Sequence, residues 1–232
     1  DCDSRMIFIP NTFRGHDYPS MLANVCARLD DPPEVVVVRG PEPWPVAQTH
    51  TPLPELDPDD IRMILYTSGT TGAPKGVLHS HRSLGALIDQ LHRHWRIDPG
   101  DTFLVPSPIA HIGGSIYAFE CPLLLGTTAI LMDHWDADEA VALMTRRHCT
   151  HMAGATPFLV NLLDAARAAD THLPDLKVFI CGGASVSPQL IRSAAAYFDR
   201  AMVTRVYGST EVPVTTVGAP EDPERAADTD GR

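Results

Sequence analysis

Short apolar runs alternate with segments of helical periodicity along this chain, and this alternation constrains the fold more than any other feature. After residue 80, apolar side chains recur at the spacing of one helix face, at Leu84, Leu87, Ile88, Leu91 and Trp95. The apolar runs that predict strands are Val35–Val38, Ile61–Tyr66, Thr102–Val105, Thr128–Met132, Thr150–Ala153, Lys177–Cys181 and Ala201–Val206. The alternation predicts an α/β fold of mainly parallel sheets covered by helices. Ligands of such sheets usually bind at loops beyond the carboxyl ends of the strands.

Proline and capping signals indicate where several elements begin or end. Asp136 opens a predicted helix with a capping box. Thr156–Pro157 and Ser187–Pro188 each pair a capping hydroxyl with a proline in the first helical position. The proline-rich stretch Pro41–Asp60 predicts an extended connector. The segment His111–Leu125 has little polar face and predicts a buried helix.

Charge and composition exclude several classes of protein. With 18 Lys and Arg against 29 Asp and Glu, the net charge of −11 disfavours a nucleic-acid binder, which needs a basic face. The most apolar stretch, Ser115–Met132, contains Glu120, Pro122 and Gly126, so no membrane span is predicted. The five cysteines never form a Cys-x-x-Cys motif, and Asp1–Arg5 is not the start of a basic leader. These features favour a reducing, cytoplasmic location.

The stretch Thr67–Gly76 is the most informative loop in the sequence. Its ten residues hold the hydroxyls of Thr67, Ser68, Thr70 and Thr71, the glycines Gly69, Gly72 and Gly76, and Lys75. Glycines let backbone N–H groups approach an anion, and a lysine supplies a point charge to phosphate. Pro74 precedes the lysine, so this is not a Walker loop. We predict a phosphate-binding loop between a strand and a helix, and the alternative is a solvated turn.

Three other segments carry candidate ligand groups. Tyr207–Glu211 follows a predicted strand. The Tyr207 ring could stack on a base, the Thr210 hydroxyl could bind phosphate, and the Glu211 carboxylate could bind Mg²⁺. The alternative is a turn with a capping glutamate. Gly182–Ala184 is either a ligand-facing segment or a tight turn. His111 borders a substrate or forms a structural hydrogen bond at a helix start. His151 is expected to be packed, and His79 to cap the phosphate loop.

Two of these segments carry a resemblance to a known family. Thr67–Gly76 matches throughout the phosphate-loop signature of the adenylate-forming superfamily, which includes acyl-CoA synthetases, luciferases and peptide-synthetase adenylation domains. Tyr207–Glu211 is similar to that family's second signature, Tyr-Gly-x-Thr-Glu. The segments around Gly182–Ala184, Pro108–Gly114 and His151–Pro157 resemble its adenine-binding and acyl-binding stretches. Near the two ends, Phe13–Tyr18 and Glu224–Arg232 resemble segments of fatty or alicyclic acid–CoA ligases, so the resemblance covers essentially the whole chain.

The resemblance implies ATP, Mg²⁺ and CoA as cofactors or co-substrates, and it implies a role for individual residues. The implied catalytic residues are Lys75, Thr210 and Glu211, and the implied metal ligands are Glu211 and Thr70. The implied nucleotide-binding residues are Thr67, Ser68, Gly69, Thr70, Thr71, Gly72, Lys75, Gly182, Gly183, Ala184, Tyr207, Gly208, Ser209 and Thr210. The implied residues that bind the carboxylic acid are His111, Gly113, Ala155, Gly182 and Val212.

Family members are longer than this chain, and it contains no Thr-Gly-Asp segment and no counterpart of their small C-terminal domain. We therefore expect 1–217 to be part of the large AMP-binding domain, built from two packed α/β subdomains. We expect 218–232 to be an acidic tail that packs against nothing, where the chain is cut. The implied activity is AMP-forming ligation of a fatty or alicyclic acid to CoA, with the isolated chain inactive or weakly ATP-binding. The alternative is a non-catalytic fragment or interaction module, able to self-associate through its cut faces.

Overall fold

Two compact units make up the chain, Asp1–Glu55 and Leu56–Arg232. They are seen in a computed structural model that describes residues 3–38, 52, 54–69, 72–198, 200–218 and 222–229. Most of the predicted connector Pro41–Asp60 lies outside the described residues. No helix in the described ranges is both long enough and apolar enough to cross a lipid bilayer.

The first unit is a small arrangement of two parallel strands joined through a helix. Strand β1 pairs in parallel with β4, which confirms the strand predicted at Val35–Val38. Helix α1 begins where the Asp17 side chain accepts a hydrogen bond from the Ser20 backbone N–H at 3.0 Å. The bounds are β1 Met6–Pro10, β2 Thr12–Phe13, β3 His16–Asp17, α1 Tyr18–Cys26 and β4 Glu34–Val38.

A six-stranded sheet forms the centre of the second unit. The strand order is β12-β11-β10-β9-β7-β8, and every neighbouring pair is parallel except β11 with β12. This confirms the predicted α/β class with a mainly parallel sheet. The strands are β7 Thr102–Val105, β8 Thr128–Leu131, β9 His151–Gly154, β10 Val178–Gly182, β11 Met202–Tyr207 and β12 Thr216–Val217. The helices between them are α5 Ala137–Arg147, α6 Thr156–Ala168 and α7 Pro188–Tyr197.

Alternate residues of the central strands pack into two different cores. On β10, Phe179 and Cys181 join a cluster with helices α5, α6 and α7 on one face of the sheet. Val178 and Ile180 join a second cluster on the other face. This separation follows from the period of two along a strand, which sends successive side chains to opposite faces.

The predicted phosphate loop joins two antiparallel strands. In this hairpin Thr67 lies opposite Lys75, and the pair of strands forms a separate two-stranded sheet. The expectation that a helix directly follows the loop is therefore wrong, and the loop belongs to this hairpin rather than to the parallel sheet. The bounds are β5 Ile61–Thr67, β6 Lys75–Ser80 and α2 His81–His94.

The apolar segment predicted as one buried helix is helical but only half buried. It consists of α3 Ile112–Ser115, a π-helical turn Ile116–Glu120 and α4 Cys121–Leu125. Tyr117 and Cys121 are buried on its inner side, whereas Phe119 and Leu123 are 44% and 70% exposed. The prediction of burial is therefore wrong for the outer side. Glu120, also on the inner side, forms an ion pair of 3.0 Å with Arg62 of strand β5.

The acidic tail forms a packed helix, so the expectation that it packs against nothing is wrong for the residues described there. Helix α8 buries Ala226 and Ala227. The Arg192 guanidinium of α7 donates to the Glu224 carboxylate at 2.8 Å and to the Asp228 carboxylate at 2.7 Å. The helix spans Pro223–Asp228.

Two of the three predicted helix caps are confirmed. Asp136 and Ser187 cap α5 and α7 through their side chains. The prediction for Thr156 is wrong, because Ala155 occupies the capping position without a side-chain hydrogen bond. The Thr156 hydroxyl instead donates to the Ser185 carbonyl at 2.9 Å. This bond ties the start of α6 to the loop that follows β10.

Candidate functional site

A cavity of about 590 Å³ lies on the second face of the sheet and reaches the carboxyl ends of β9, β10 and β11. Parallel α/β sheets usually bind ligands at this edge. Most of its wall is apolar or glycine. The lining residues are Ser107, Pro108, His111, Ile112, Gly113, Ile116, Tyr117, Ala153, Gly154, Ala155, Phe158, Ile180, Gly182, Gly183, Val206, Gly208, Ser209, Thr210, Glu211, Pro213 and Val214.

The cavity brings together many of the residues that the sequence singled out. Those that border it are Gly182, Gly183, Gly208, Ser209, Thr210 and Glu211 from the two strand-end loops, with His111, Gly113 and Ala155 from the predicted acid site. Ala184, Tyr207 and Val212 do not border it, and the side chains of Tyr207 and Val212 are 59% and 51% exposed. The described residues of the phosphate loop also lie outside its lining.

Glycine is required at two positions of the cavity edge for different reasons. A Cβ on Gly208 would lie 2.0 Å from the Pro213 carbonyl oxygen, because the chain folds back on itself there. Gly183 has a φ of +77°, a conformation that side chains of L residues rarely adopt. Each of these two loops therefore turns tightly at a position that requires glycine.

A buried histidine connects the hairpin to the loop after β11. His79 of strand β6 is 4% exposed, and its Nε2 donates to the Thr210 carbonyl oxygen across 2.8 Å. A carbonyl oxygen only accepts, so Nε2 must carry the hydrogen. Strand β6 begins with Lys75, so this contact links the strand that leaves the phosphate loop to the loop with Thr210 and Glu211. The sequence predicted only that His79 caps the loop.

The Glu211 carboxylate is held in its ionised form by its surroundings. A hydrogen bond from its own backbone N–H lowers its pKa, as do a hydrogen bond from the Ser209 hydroxyl and the nearby His79 and Lys75. Glu211 and Lys75, far apart in the sequence, are thus close enough to interact. An exposed, ionised carboxylate beside a cavity is a chemically suitable Mg²⁺ ligand. Across the described residues no three His, Cys, Asp or Glu side chains gather as a metal site.

The turn of the phosphate loop is described only in part. The Gly72 N–H donates to the Gly69 carbonyl at 3.1 Å, and Gly72 has a φ of +88°. Lys75 is exposed at the start of β6. Thr70 and Thr71 lie outside the described residues, so the predicted metal ligand Thr70 stays a prediction.

The two expectations for His111 are compatible with each other. Its Nδ1 accepts a hydrogen bond from the Gly113 N–H at 3.1 Å and caps α3. The same residue borders the cavity. The expectation that His151 is packed agrees with its full burial and with its stacking on Phe103 at 4.8 Å.

Two cavity-related residues escaped the sequence analysis. Tyr117 borders the cavity from within the π turn. No local pattern distinguishes it from the other apolar residues of its segment. The contact of His79 with Thr210 joins residues 131 positions apart. Only the fold brings such residues together.

Fold and cavity together define the class of this protein. A family model described as AMP-binding enzyme matches residues 1–232, and the chain belongs to that family. This confirms the resemblance drawn from the two loop motifs. The chain is 33% identical over 178 residues to the medium-chain fatty-acid–CoA ligase of Escherichia coli strain K12. That match covers 75% of this chain and 30% of the relative, so the chain spans less than a third of the relative's length.

Solved structures agree with this assignment. The inhibitor-bound N-terminal domain of FACL13 from Mycobacterium tuberculosis is 26% identical, with a TM-score of 0.78 over 99% of this chain and 57% of that one. ATP-bound MatB from Rhodopseudomonas palustris is also 26% identical, with a TM-score of 0.76 over 94% of this chain and 42% of that one. Both similarities extend over nearly all of the chain.

Proposed function

We propose that this chain provides the nucleotide-binding and acid-binding part of an AMP-forming acyl-CoA ligase. The observation that carries the proposal is the contact between the strand that leaves the phosphate loop and the loop with Thr210 and Glu211. Thr210 and Glu211 border the cavity, and His79 bonds the Thr210 carbonyl from the strand that begins with Lys75. This contact supports a triphosphate site next to an apolar pocket, which is the arrangement that ATP-dependent activation of a carboxylic acid needs.

In the first half-reaction, a carboxylate oxygen attacks the α-phosphorus of ATP, an O–P bond forms and pyrophosphate leaves. Lys75 would offset negative charge on the phosphate oxygens, and the Thr210 hydroxyl would donate to the α-phosphate. Glu211 would hold Mg²⁺, which supplies further charge neutralisation on the phosphates when bound. In the second half-reaction, the CoA thiolate attacks the acyl carbon, the thioester forms and AMP leaves.

The acid substrate is proposed to have an apolar acyl chain. Among the described lining residues, Glu211 is the single carboxylate, and it belongs to the proposed nucleotide end. The rest of the wall is formed by residues such as Ile116, Ala153, Phe158 and Ile180. A pocket without a second carboxylate offers no partner for the ammonium group of an amino acid. The E. coli relative, named as a medium-chain fatty-acid ligase, supports the same class of acid.

An ATP titration of the 232-residue chain by calorimetry, in the presence of Mg²⁺, tests this proposal. The Lys75→Ala variant should bind ATP about 10- to 100-fold more weakly, because a charge-assisted hydrogen bond is worth about 1.5–3 kcal/mol. Arg146→Ala is the matched control, since it removes one exposed positive charge from helix α5 on the opposite face of the sheet. Equal ATP affinity in all three proteins would contradict the proposed nucleotide site.

A pyrophosphate-exchange assay measures the first half-reaction separately. We expect little turnover from the 232 residues, since the match to the E. coli ligase covers only 30% of that protein. Vigorous exchange would overturn that expectation and leave the site assignment in place. Absence of ATP binding would instead favour the alternative of a non-catalytic interaction module.

A further inference from the structure

An ion pair joins the phosphate-loop hairpin to the helical wall of the cavity. The Arg62 Nε of strand β5 donates to the Glu120 Oε1 at 3.3 Å, and the Arg62 Nη2 lies 3.0 Å from Oε2. The Glu120 side chain is 3% exposed and that of Arg62 is 28% exposed. Glu120 ends the π-helical turn from which Ile116 and Tyr117 border the cavity. The ion pair therefore connects the hairpin directly to the segment that forms the cavity wall.

Both partners lie at irregular positions of the backbone. The register of the β5–β6 ladder shifts between Ile61 and Met63, so Arg62 is the extra residue of a β-bulge. Bulges re-aim a side chain and are frequent next to active sites. Glu120 belongs to a single π turn within a helical segment, an irregularity that is also frequent at functional sites. Two separate departures from regular geometry thus bring these two side chains together.

The buried carboxylate depends on this contact. Among the described residues, no donor forms a hydrogen bond with the Glu120 Oε2. A carboxylate taken out of water is costly unless an opposite charge lies beside it. A planar guanidinium that faces both carboxylate oxygens fixes direction as well as distance. The ion pair is therefore suited to hold the hairpin in one place against the helical wall.

The hairpin carries this constraint to the loop with Thr210. Met63, the residue after Arg62, is paired across the hairpin with His79. Neighbouring strands lie about 4.8 Å apart, so one step of the ladder separates the two contacts that the hairpin makes. His79 donates to the Thr210 carbonyl oxygen across 2.8 Å. A short series of contacts thus runs from Glu120 on the cavity wall to the loop at the cavity rim.

We propose that Arg62 and Glu120 are positioning residues, and that their ion pair sets the distance between the acyl group and the α-phosphate during adenylation. The inference rests on the proposed function, which places the acyl chain against the apolar wall and the α-phosphate beside Thr210. Each ligand alone should bind almost equally well without the ion pair, because neither residue touches the reacting atoms. A molecule that spans both places needs the correct spacing, and small misplacements of reacting groups are costly.

A linked ligand and its two halves test the inference on the 232-residue chain. The probes are dodecanoyl-sulfamoyl adenosine, a stable analogue of an acyl adenylate, ATP with Mg²⁺, and dodecanoate, each titrated separately by calorimetry. The unaltered chain should bind the linked analogue about 100-fold more tightly than either half, as expected when two binding events are joined. The double variant Arg62→Met/Glu120→Met should lose about tenfold of that affinity. Its affinities for ATP and for dodecanoate should change less than about threefold, because the ion pair is remote from both ligands.

Two further variants control for folding and for charge. The double variant leaves no buried carboxylate unpaired, and apolar replacement of a buried ion pair is often neutral for stability. Glu120→Gln keeps the size of the side chain and should show a smaller loss of the same selective kind. Asp89→Met/Arg93→Met is the matched control, because it removes an exposed ion pair of helix α2 outside the cavity lining. It should leave all three affinities unchanged, and thermal unfolding shows whether each variant is folded.

The outcomes separate the inference from the proposed function. A loss that is larger for the linked analogue than for its halves supports the positioning role. If ATP and dodecanoate bind to the unaltered chain but the analogue binds no more tightly than they do, the inference is overturned and the proposed function stands. The same holds if neither variant of the ion pair weakens the analogue more than its halves. If none of the three probes binds to the unaltered chain, the proposed function and the inference fail together.

Discussion

The two faces of the six-stranded sheet are built from the same strands but filled differently. On β9, Met152 joins the fully packed cluster with helices α5, α6 and α7, whereas its neighbour Ala153 borders the cavity. On β10, Phe179 is fully buried in the packed cluster, whereas Gly182 borders the cavity. Since successive residues of a strand face opposite sides, one strand can stabilise the fold and shape a ligand site independently. Small residues on one face can leave room for a ligand because large residues on the other face hold the sheet together.

The largest expected effect is the loss of a side chain from the packed face. Phe179→Ala should lower the free energy of unfolding by about 3–5 kcal/mol, because it removes a fully buried ring and leaves a cavity. Urea denaturation followed by circular dichroism measures this. Under conditions where the variant is folded, its ATP affinity should be unchanged. A loss below about 1 kcal/mol would show that this face does not carry the stability of the sheet.

Replacing an alanine with leucine should have different consequences on the two faces. Ala166→Leu forces a larger side chain into the packed cluster and should cost about 1–3 kcal/mol of unfolding free energy. Ala153→Leu places the added carbon atoms in the cavity, so it should change stability by less than about 1 kcal/mol. It should also weaken binding of dodecanoate about tenfold or more, since it occupies the acyl space. Equal losses of stability in the two variants would contradict the contrast between the faces.

A smaller effect is expected at the contact between the hairpin and the cavity rim. His79→Leu removes the donor to the Thr210 carbonyl and should weaken ATP binding by roughly fivefold, consistent with about 1 kcal/mol for one hydrogen bond. In His79→Gln the side-chain amide can donate in its place, so this variant should retain most of the affinity. Calorimetric titration with ATP and Mg²⁺ compares them. If leucine and glutamine give the same affinity, the hydrogen bond does not position the loop.

The smallest expected effect is a pH dependence of the free energy of unfolding, which arises from the buried His151. Burial lowers the pKa of His151, with opposing contributions from the Trp95 carbonyl and Asp101, and Lys177 also lowers it. As the pH drops below about 6.5, the ordinary pKa of histidine, His151 takes up a proton in the unfolded chain but stays neutral in the folded chain. Stability therefore falls as the pH drops from about 6.5. His151→Gln should flatten the curve of unfolding free energy between about pH 5 and 7. An unchanged slope in this variant would assign the titration to other groups.

The sequence predicted the class of fold and several residues at the cavity rim, but it did not predict the hairpin. Strands of the parallel sheet are continuous apolar runs, which form a strong local signal. Strand β6 contains Lys75, Gly76 and Ser80, so it resembles a loop, and its pairing with β5 is visible only in three dimensions. Tyr117 and His79 were missed as site residues because their roles depend on partners distant in sequence. The tail helix did have a readable start, since Asp222 precedes Pro223 and caps α8.

Helix α8 has a practical consequence for anyone who shortens this protein. The Arg205 guanidinium of β11 donates to the Ala227 carbonyl at 3.0 Å, and Arg192 holds the same helix from α7. Strand β11 leads directly into the loop with Thr210 and Glu211. Ending the polypeptide at residue 218 would therefore uncover the strand that supports this loop. The last residues of the chain belong in every expressed version of it, although their composition makes them look expendable.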